Sequence, residues 1–316
     1  MKISDIVYWS DSVHIQKLLQ SKFSLLQSSG VLLTLKQKIP YGTQLYAEHA
    51  NTRGLFNVYH SAKKGFSFVD CASNNASGAA IAILSGKSLS AHTMKADVSE
   101  ESFQCWIGSD ESGKGDLFGP LVVASFLCKK EMERDLRGIG VDDSKKLTSL
   151  EIRRIGRTLC EQYHNTIAVK VFHNELYNKE YQHFNNLNLL LAKAHAERII
   201  ELVNNHEGIP IDGIIVDKFA RSDLVEKELA TITIPLIQRT GGESNVGVAA
   251  ASVIARYTFE KSMDALSNEC GYALPYGAGE SVKQLAARIY RERGATFLSR
   301  IVKVHFKTFA EICTLH

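Results

Sequence analysis

The 316-residue chain has no Cys-x-x-Cys pair, no uninterrupted apolar core at its amino terminus, no apolar run of 18 residues and no large excess of either charge. Each absence excludes something. Its six cysteines, Cys71, Cys105, Cys128, Cys160, Cys270 and Cys313, stand singly, which argues against a zinc cluster and predicts reduced thiols in a cytoplasmic protein. The opening MKISDIVYWSDSVHIQ does not read as an export signal, and without a long apolar run no membrane span is expected. There is no internal repeat and no low-complexity tract, and a composition of 45% hydrophobic and 22% charged residues is that of an ordinary globular protein. A net charge of +3 does not by itself announce a nucleic-acid binder.

The charge is nevertheless uneven. Residues 1–86 carry eight Lys or Arg against four Asp or Glu, and residues 280–316 carry seven against three, so the stretch between them is net acidic. Two basic ends around an acidic centre suit a polyanion gripped on both sides of a metal-dependent site, although short basic excesses are also ordinary solvated surface.

Periodicity divides the chain in two. Val13 to Leu26 has apolar residues at helical spacing and is stopped by Ser28-Ser29-Gly30. Short strands are predicted at Tyr41 to His49, Gly54 to His60 and Gly65 to Val69, joined by basic turns, with a second helix from Asn74 to Ile83. The polar, aperiodic stretch that follows reads as a linker over 87–102, between a small domain at 1–86 and a larger one at 103–316. The larger domain is predicted to open with two strands around Gly108–Pro120 and to continue with a helix at Ser149 to Glu161, a strand at Thr166 to Phe172 and a long helix through Leu187 to Leu202. A buried strand Gly213 to Val216, a strand Thr231 to Ile237, a helix Val246 to Leu266 and basic carboxy-terminal helices complete it. Strands adjacent at first and then alternating with helices argue for a mixed α/β sheet.

Chemistry concentrates in GSDESGKGDLFGP, residues 108–120, where Asp110 and Glu111 stand side by side at the end of an apolar strand. Adjacent carboxylates repel unless a cation or a proton compensates. Asp217 ends the strand GIIV in the same way, so three acids are predicted at one edge of a sheet. Glu260 continues the stripe Ala249, Val253, Tyr257 and is a fourth acid on a buried helical face. For Glu260 alone, pairing with Arg256 four residues earlier is an equally simple account, and a lone Asp after a strand is often only a cap. Convergence of all four would favour a hard divalent cation, because the set contains no His or Cys.

Gly113, Gly115 and Gly119 permit close backbone approach to a phosphate chain, with Lys114 as a cation beside it. The same stretch begins like a nucleotide-binding G-x-x-x-x-G-K loop. That reading fails because Gly115 stands where Ser or Thr should hold magnesium, because two acids lie inside the cradle, and because a strand rather than a helix is predicted next. In Asp142-Asp143-Ser144-Lys145-Lys146-Leu147-Thr148, Ser144 and Lys145 are candidates to hold a backbone phosphate, while Thr148 has the position of a helix cap.

The blocks SDESGKGDLFGPLVVA, DDSKKLT, GIIVDKFA and GVAAASVIARYTFE resemble, in this order across residues 106–279, the signatures of bacterial ribonuclease HIII in the ribonuclease HII superfamily. The resemblance implies a ribonuclease H-like mixed sheet flanked by helices. The stretch KIPYGTQLYAEHANTRGLFNVYHSAKKG looks more loosely like that family's small α+β substrate-binding domain, which resembles the TATA-binding protein fold. Carried onto this chain, it makes Asp110, Glu111, Asp217 and Glu260 the catalytic, metal-binding carboxylates for Mg²⁺ or Mn²⁺. Glu at position 260 stands where ribonuclease HII is expected to have Asp. Gly113, Lys114, Gly115, Ser144 and Lys145 become substrate contacts. The implied reaction is two-metal endonucleolytic cleavage of the RNA strand of an RNA/DNA hybrid, leaving 3′-hydroxyl and 5′-phosphate ends, by a monomer. Where ribonuclease HII has Gly-Arg-Gly this chain has Gly113-Lys114-Gly115, so longer RNA stretches are expected as substrate rather than a single embedded ribonucleotide.

Overall fold

The computed structural model of the chain describes residues 8–49, 52–71, 75–86, 99–219 and 224–315. The first residue of the helix predicted from Asn74, and residues 87–98 of the predicted linker, lie outside these. Two compact units are present, Met1–Ser99 and Glu100–His316.

The first unit is a four-stranded antiparallel sheet with two helices on one face. Helix α1 (Val13–Ser28) starts at Ser12, whose hydroxyl accepts from the Ile15 amide, and buries Ile15, Leu19, Phe23 and Leu26. Strands β1 (Leu32–Ile39), β2 (Gly42–His49), β3 (Thr52–Ser61) and β4 (Gly65–Asp70) pair in sequence order, and helix α2 (Asn75–Ser85) follows. Leu33, Leu45, Ala47, Phe56 and Val58 meet the α1 stripe and Ala76, Ala79, Ala80 and Ile83 of α2 in one core. The other face is polar, with a ladder from Gln37 through Gln44 and Asn57 to Tyr59. Strand β1 was not predicted from sequence. It is an edge strand in which only Leu33 is buried, and a register shift between Leu35 and Gln37 breaks the two-residue alternation that would have revealed it.

The second unit is built on a five-stranded sheet of order β7-β6-β5-β8-β9. Strand β5 (Cys105–Ser112) pairs antiparallel with β6 (Leu121–Lys129). Helices α3 (Glu133–Ile139) and α4 (Ser149–Gln162) precede β7 (Ile167–Phe172), and α5 (Asn174–Phe184) and α6 (Leu187–Asn205) lead to β8 (Gly213–Asp217). Strand β8 runs parallel to β5, and after α7 (Leu224–Glu228) so does β9 (Leu236–Arg239) to β8. Helices α8 (Val246–Cys270), α9 (Glu280–Ile301) and α10 (Lys307–Leu315) complete the chain. The sheet is therefore mixed, as predicted.

Its central strands are covered on both faces. Helix α6 packs Ala192, Ala196 and Ile199 against Ile107, Leu127 and Ile214. Helix α8 lies on the opposite face so closely that a Cβ on Gly108 would stand 2.2 Å from the Gly247 backbone. Asn245 caps α8 through the amides of Gly247 and Val248 and also accepts from Trp106 Nε1 at 2.8 Å, which ties the helix start to β5. The strand predicted over 231–237 is found at Leu236–Arg239, because Pro235 has no amide to donate and the residues before it are irregular. Helix α5 was missed, since only Asn174 and Tyr177 of its eleven residues are buried and no apolar stripe results. The six cysteines are all unpaired, and no helix among the described residues is long and apolar enough to cross a membrane.

Candidate active site

Parallel strands deliver their carboxyl ends to the same edge of a sheet. In the β5/β8 ladder Ser109 pairs with Val216, so Asp110 and Asp217 are the next residues on neighbouring strands. Asp110, Glu111 and Asp217 consequently line one cavity of about 370 Å³, together with Gly113, Lys114, Gly115, Ser144, Lys145, Ser252 and Arg256. Eight of the nine residues singled out from sequence border this space, and Glu260 does not.

The two adjacent acids have different surroundings. Burial pushes the Asp110 carboxyl up to about 8, and the neighbouring Glu111 charge pushes the same way, against hydrogen bonds from the Ser252 hydroxyl and the Glu111 amide. Burial also acts to raise Glu111, but His195 and Lys114 outweigh it and hold that carboxyl below its ordinary value. His195 Nε2 lies 3.3 Å from Glu111 Oε2, and Lys114 Nζ lies 3.6 Å from Oε1. His195 is completely buried on α6. Its Nδ1 is 2.7 Å from Ser109 Oγ, which also accepts from Ser125, and its ring lies flat on Phe219 with centroids 5.1 Å apart. Sequence reasoning passed over this histidine. The available signal was a polar ring inside the apolar stripe of α6, between Leu191 and Ile199.

A second missed residue is Glu243, in the turn Gly242–Ser244 between β9 and α8. The amide of Gly242 donates to Asp217 Oδ1 at 2.9 Å, so this turn is fastened to the end of β8. Lys145 Nζ is 3.1 Å from Glu243 Oε1. That hydrogen bond raises the Lys145 pKa first, and the Glu243, Asp217 and Asp110 charges add to it. Glu243 is held below its ordinary value by its own backbone amide and by Lys145, against partial burial. As they stand, no three Asp, Glu, His or Cys side chains among the described residues converge closely enough to hold an ion.

Glu260 is buried as its helical position predicts, at 2% exposure, but toward a different set of partners. Its Oε1 accepts from Arg256 Nε at 3.1 Å and from Ser149 Oγ at 3.2 Å, and Arg153 Nε lies 3.6 Å from Oε2. The expectation that it joins the other acids at the sheet edge is therefore not met in this arrangement. The pairing with Arg256 is present, in a buried setting rather than an exposed one.

The glycine strap after β5 is a turn and not a nucleotide cradle, since it runs directly into β6. Gly113 has φ +86°, and a Cβ there would strike the Pro120 carbonyl at 2.3 Å. Gly115 faces open space, which leaves room for a ligand against the backbone. From behind, the fully buried Lys303 donates to the carbonyls of Asp116 and Gly119 at 2.8 and 2.7 Å.

Comparison with known proteins follows the same outline. A family model described as Ribonuclease HII matches residues 107–309. A curated relative from Chlamydia pneumoniae named ribonuclease HIII is 39% identical over 234 residues, covering 71% of this chain and 75% of its own length. One of the same name from Staphylococcus aureus (strain MW2) is 31% identical over 287 residues, 86% of this chain and 88% of its own. Among solved structures, Bst-RNase HIII in complex with Mn²⁺ superposes with a TM-score of 0.60 at 27% identity, over 94% of this chain and 96% of that one.

Proposed function

Because the chain belongs to the ribonuclease HII family, among its ribonuclease HIII members, and is thus a ribonuclease H, we propose that it hydrolyses the RNA strand of RNA/DNA hybrids with two divalent ions, leaving 3′-hydroxyl and 5′-phosphate ends. The observation that carries this reading is the cavity at the ends of β5 and β8, where Asp110, Glu111 and Asp217 share one space with Lys114 and Lys145.

The donor set fits Mg²⁺ or Mn²⁺. It offers carboxylate oxygens, with a histidine behind one of them rather than among them, and an acid whose burial disfavours its charge until a cation arrives. Mn²⁺ in the Bst-RNase HIII structure supports the same choice. Asp110, Glu111 and Asp217 would hold the ions, and Glu243, which follows the Gly242 amide bonded to Asp217 and pairs with Lys145, would be the fourth carboxylate in place of Glu260. Ions held by these carboxylates would supply activation of water and neutralisation of charge at the leaving oxygen.

The protein groups bind and orient. Lys114 and Lys145 are cations at the cavity wall, suited to phosphates on either side of the scissile bond. The backbone from Gly113 to Gly115, open at Gly115, can approach a ribose 2′-hydroxyl, the feature that distinguishes an RNA strand in a duplex whose minor groove is shallow. His195 fixes which oxygen of Glu111 points inward. Residues 1–86 serve as the substrate-binding domain, joined by 87–102 to the catalytic residues 103–316. On that sheet Tyr46 has the Arg53 guanidinium 4.0 Å from its ring centroid and Lys36 at 5.7 Å, an aromatic and cationic patch suited to a nucleic-acid backbone.

The test is cleavage of an end-labelled hybrid beside double-stranded DNA and double-stranded RNA. Only the hybrid should be cut, only with Mg²⁺ or Mn²⁺, and Asp110→Asn and Asp217→Asn should abolish cutting while hybrid binding persists. Full turnover in either variant overturns the assignment.

A further inference from the structure

Glu260 stands apart from the acids, and what it touches forms a continuous path back to them. Ser252, Arg256 and Glu260 follow at steps of four on α8 and so occupy one stripe of that helix. While its Nε pairs with Glu260, Arg256 Nη1 donates to the Ser144 carbonyl and, at 3.2 Å, to the Leu147 carbonyl. One guanidinium therefore grips both ends of the turn 144–147. The first residue of that turn is also anchored by its side chain, with Ser144 Oγ 2.8 Å from Ser252 Oγ. The next is Lys145, whose ammonium reaches Glu243 while the side chain remains 73% exposed. At the far end, Ser149 Oγ returns to Glu260 itself, so the carboxylate closes a ring that runs through the arginine, the turn and the start of α4.

We propose that Glu260 is a positioning residue for substrate capture, which acts through Arg256 to hold the 144–147 turn in the shape that presents Lys145 to a backbone phosphate beside the acids. The inference rests on reading the site as one that binds hybrid. Physically, the carboxylate fixes the guanidinium plane, and the fixed plane then offers its remaining donors to two carbonyls at once. Without the acid, a partly buried arginine is free to leave for solvent, and the turn loses its clamp. The conservative change Glu260→Gln keeps an oxygen for Arg256 Nε but loses the charge, so its effect should lie between wild type and Glu260→Ala.

Two measurements test this, neither requiring turnover. Hybrid affinity is read by fluorescence anisotropy in EDTA, and Mn²⁺ affinity by electron paramagnetic resonance in the absence of hybrid. Glu260→Ala should raise the hybrid Kd about tenfold, Lys145→Ala should do likewise, and the double variant should be no worse than the weaker single, since both remove one interaction. Mn²⁺ affinity should remain within about twofold of wild type, whereas loss of a ligand would shift it about tenfold or more. A large drop in Mn²⁺ affinity in Glu260→Gln, additive effects of the two alanine substitutions, or unchanged hybrid affinity would each overturn the proposal. If Glu260→Ala does not fold, Glu260→Gln and Arg256→Gln carry the same comparison. Failure of wild type to bind hybrid would count against the functional reading itself, whereas wild-type binding with Glu260 variants indistinguishable from it would count against this inference alone.

Discussion

At the scale of single residues, neighbouring carboxylates have been driven apart in acidity by what surrounds them. Glu111 has His195 and Lys114 as partners, while Asp110 has mainly burial and the charge beside it, so the shared proton belongs on Asp110 below about pH 8. Its folded pKa is raised above the ordinary value of 3.8. In the metal-free protein the contribution of Asp110 to stability is therefore lost as pH rises from about 4 to 8, by up to about 1.4 kcal/mol per unit for this one group. Cation binding must expel that proton. Calorimetric titration with Mn²⁺ should accordingly show release of close to one proton at pH 6.5, fading above pH 8.5, with affinity rising across the interval. Asp110→Asn should remove the proton release and, compared with wild type, the part of the pH slope of stability that falls between about pH 4 and 8. His195 belongs to this scale as well, because a group behind a ligand orients it. His195→Phe retains an aromatic ring on Phe219 but leaves Glu111 Oε2 without its partner, and Mn²⁺ affinity should fall about tenfold to a hundredfold.

Elements place these residues, and they do so by a few simple devices. Parallel pairing of β5 with β8 brings acids more than a hundred residues apart in sequence to one edge, and the close approach of α8 at Gly108 brings Ser252 and Arg256 over that edge. The turn carrying Lys145 is held between α8 and the start of α4. There Thr148 and Glu151 form a reciprocal capping box, with the Glu151 amide donating to the Thr148 hydroxyl and the Glu151 carboxylate accepting from the Thr148 amide. Thr148→Ala should lower unfolding free energy by about 1 kcal/mol in urea titration. It should weaken hybrid binding less than Lys145→Ala does, because the Arg256 clamp on the turn remains. The elements read best from sequence were those with a clear apolar signal, the stripes of α4 and α6 and the continuous apolar runs of α8 and β8. Strand β1, with its shifted register, and helix α5, with almost no buried face, had no period to read.

For the molecule as a whole, two compact units imply a division of labour that can be measured. If the sheet of residues 1–86 contributes phosphate contacts, deleting it should raise KM for a hybrid far more than it lowers kcat. The full chain should also lose affinity with salt more steeply than the truncated one, by close to one unit of log–log slope for each phosphate contact removed. Equal salt slopes would show that the sheet makes no such contacts.

The family blocks, the α/β alternation and the acids Asp110, Glu111 and Asp217 were legible in the sequence alone, because each depends on local order: a strand period, a run of glycines, an acid at a strand end. Which other side chains join them was decided only by tertiary structure. His195 reaches Glu111 from helix α6, where only its polar ring within an apolar stripe marked it, and Glu243 lies in a turn bonded to Asp217 through the Gly242 amide, with nothing in its own neighbourhood to mark it. Glu260 is the converse case. Its place on the stripe of α8 told correctly that it would be buried, but not what it would be buried against. A helical period specifies a face, whereas the partners of that face depend on what packs there, and here Glu260 meets Arg256 of its own helix and Ser149 and Arg153 of α4, while the carbonyls of the 144–147 turn are taken by Arg256.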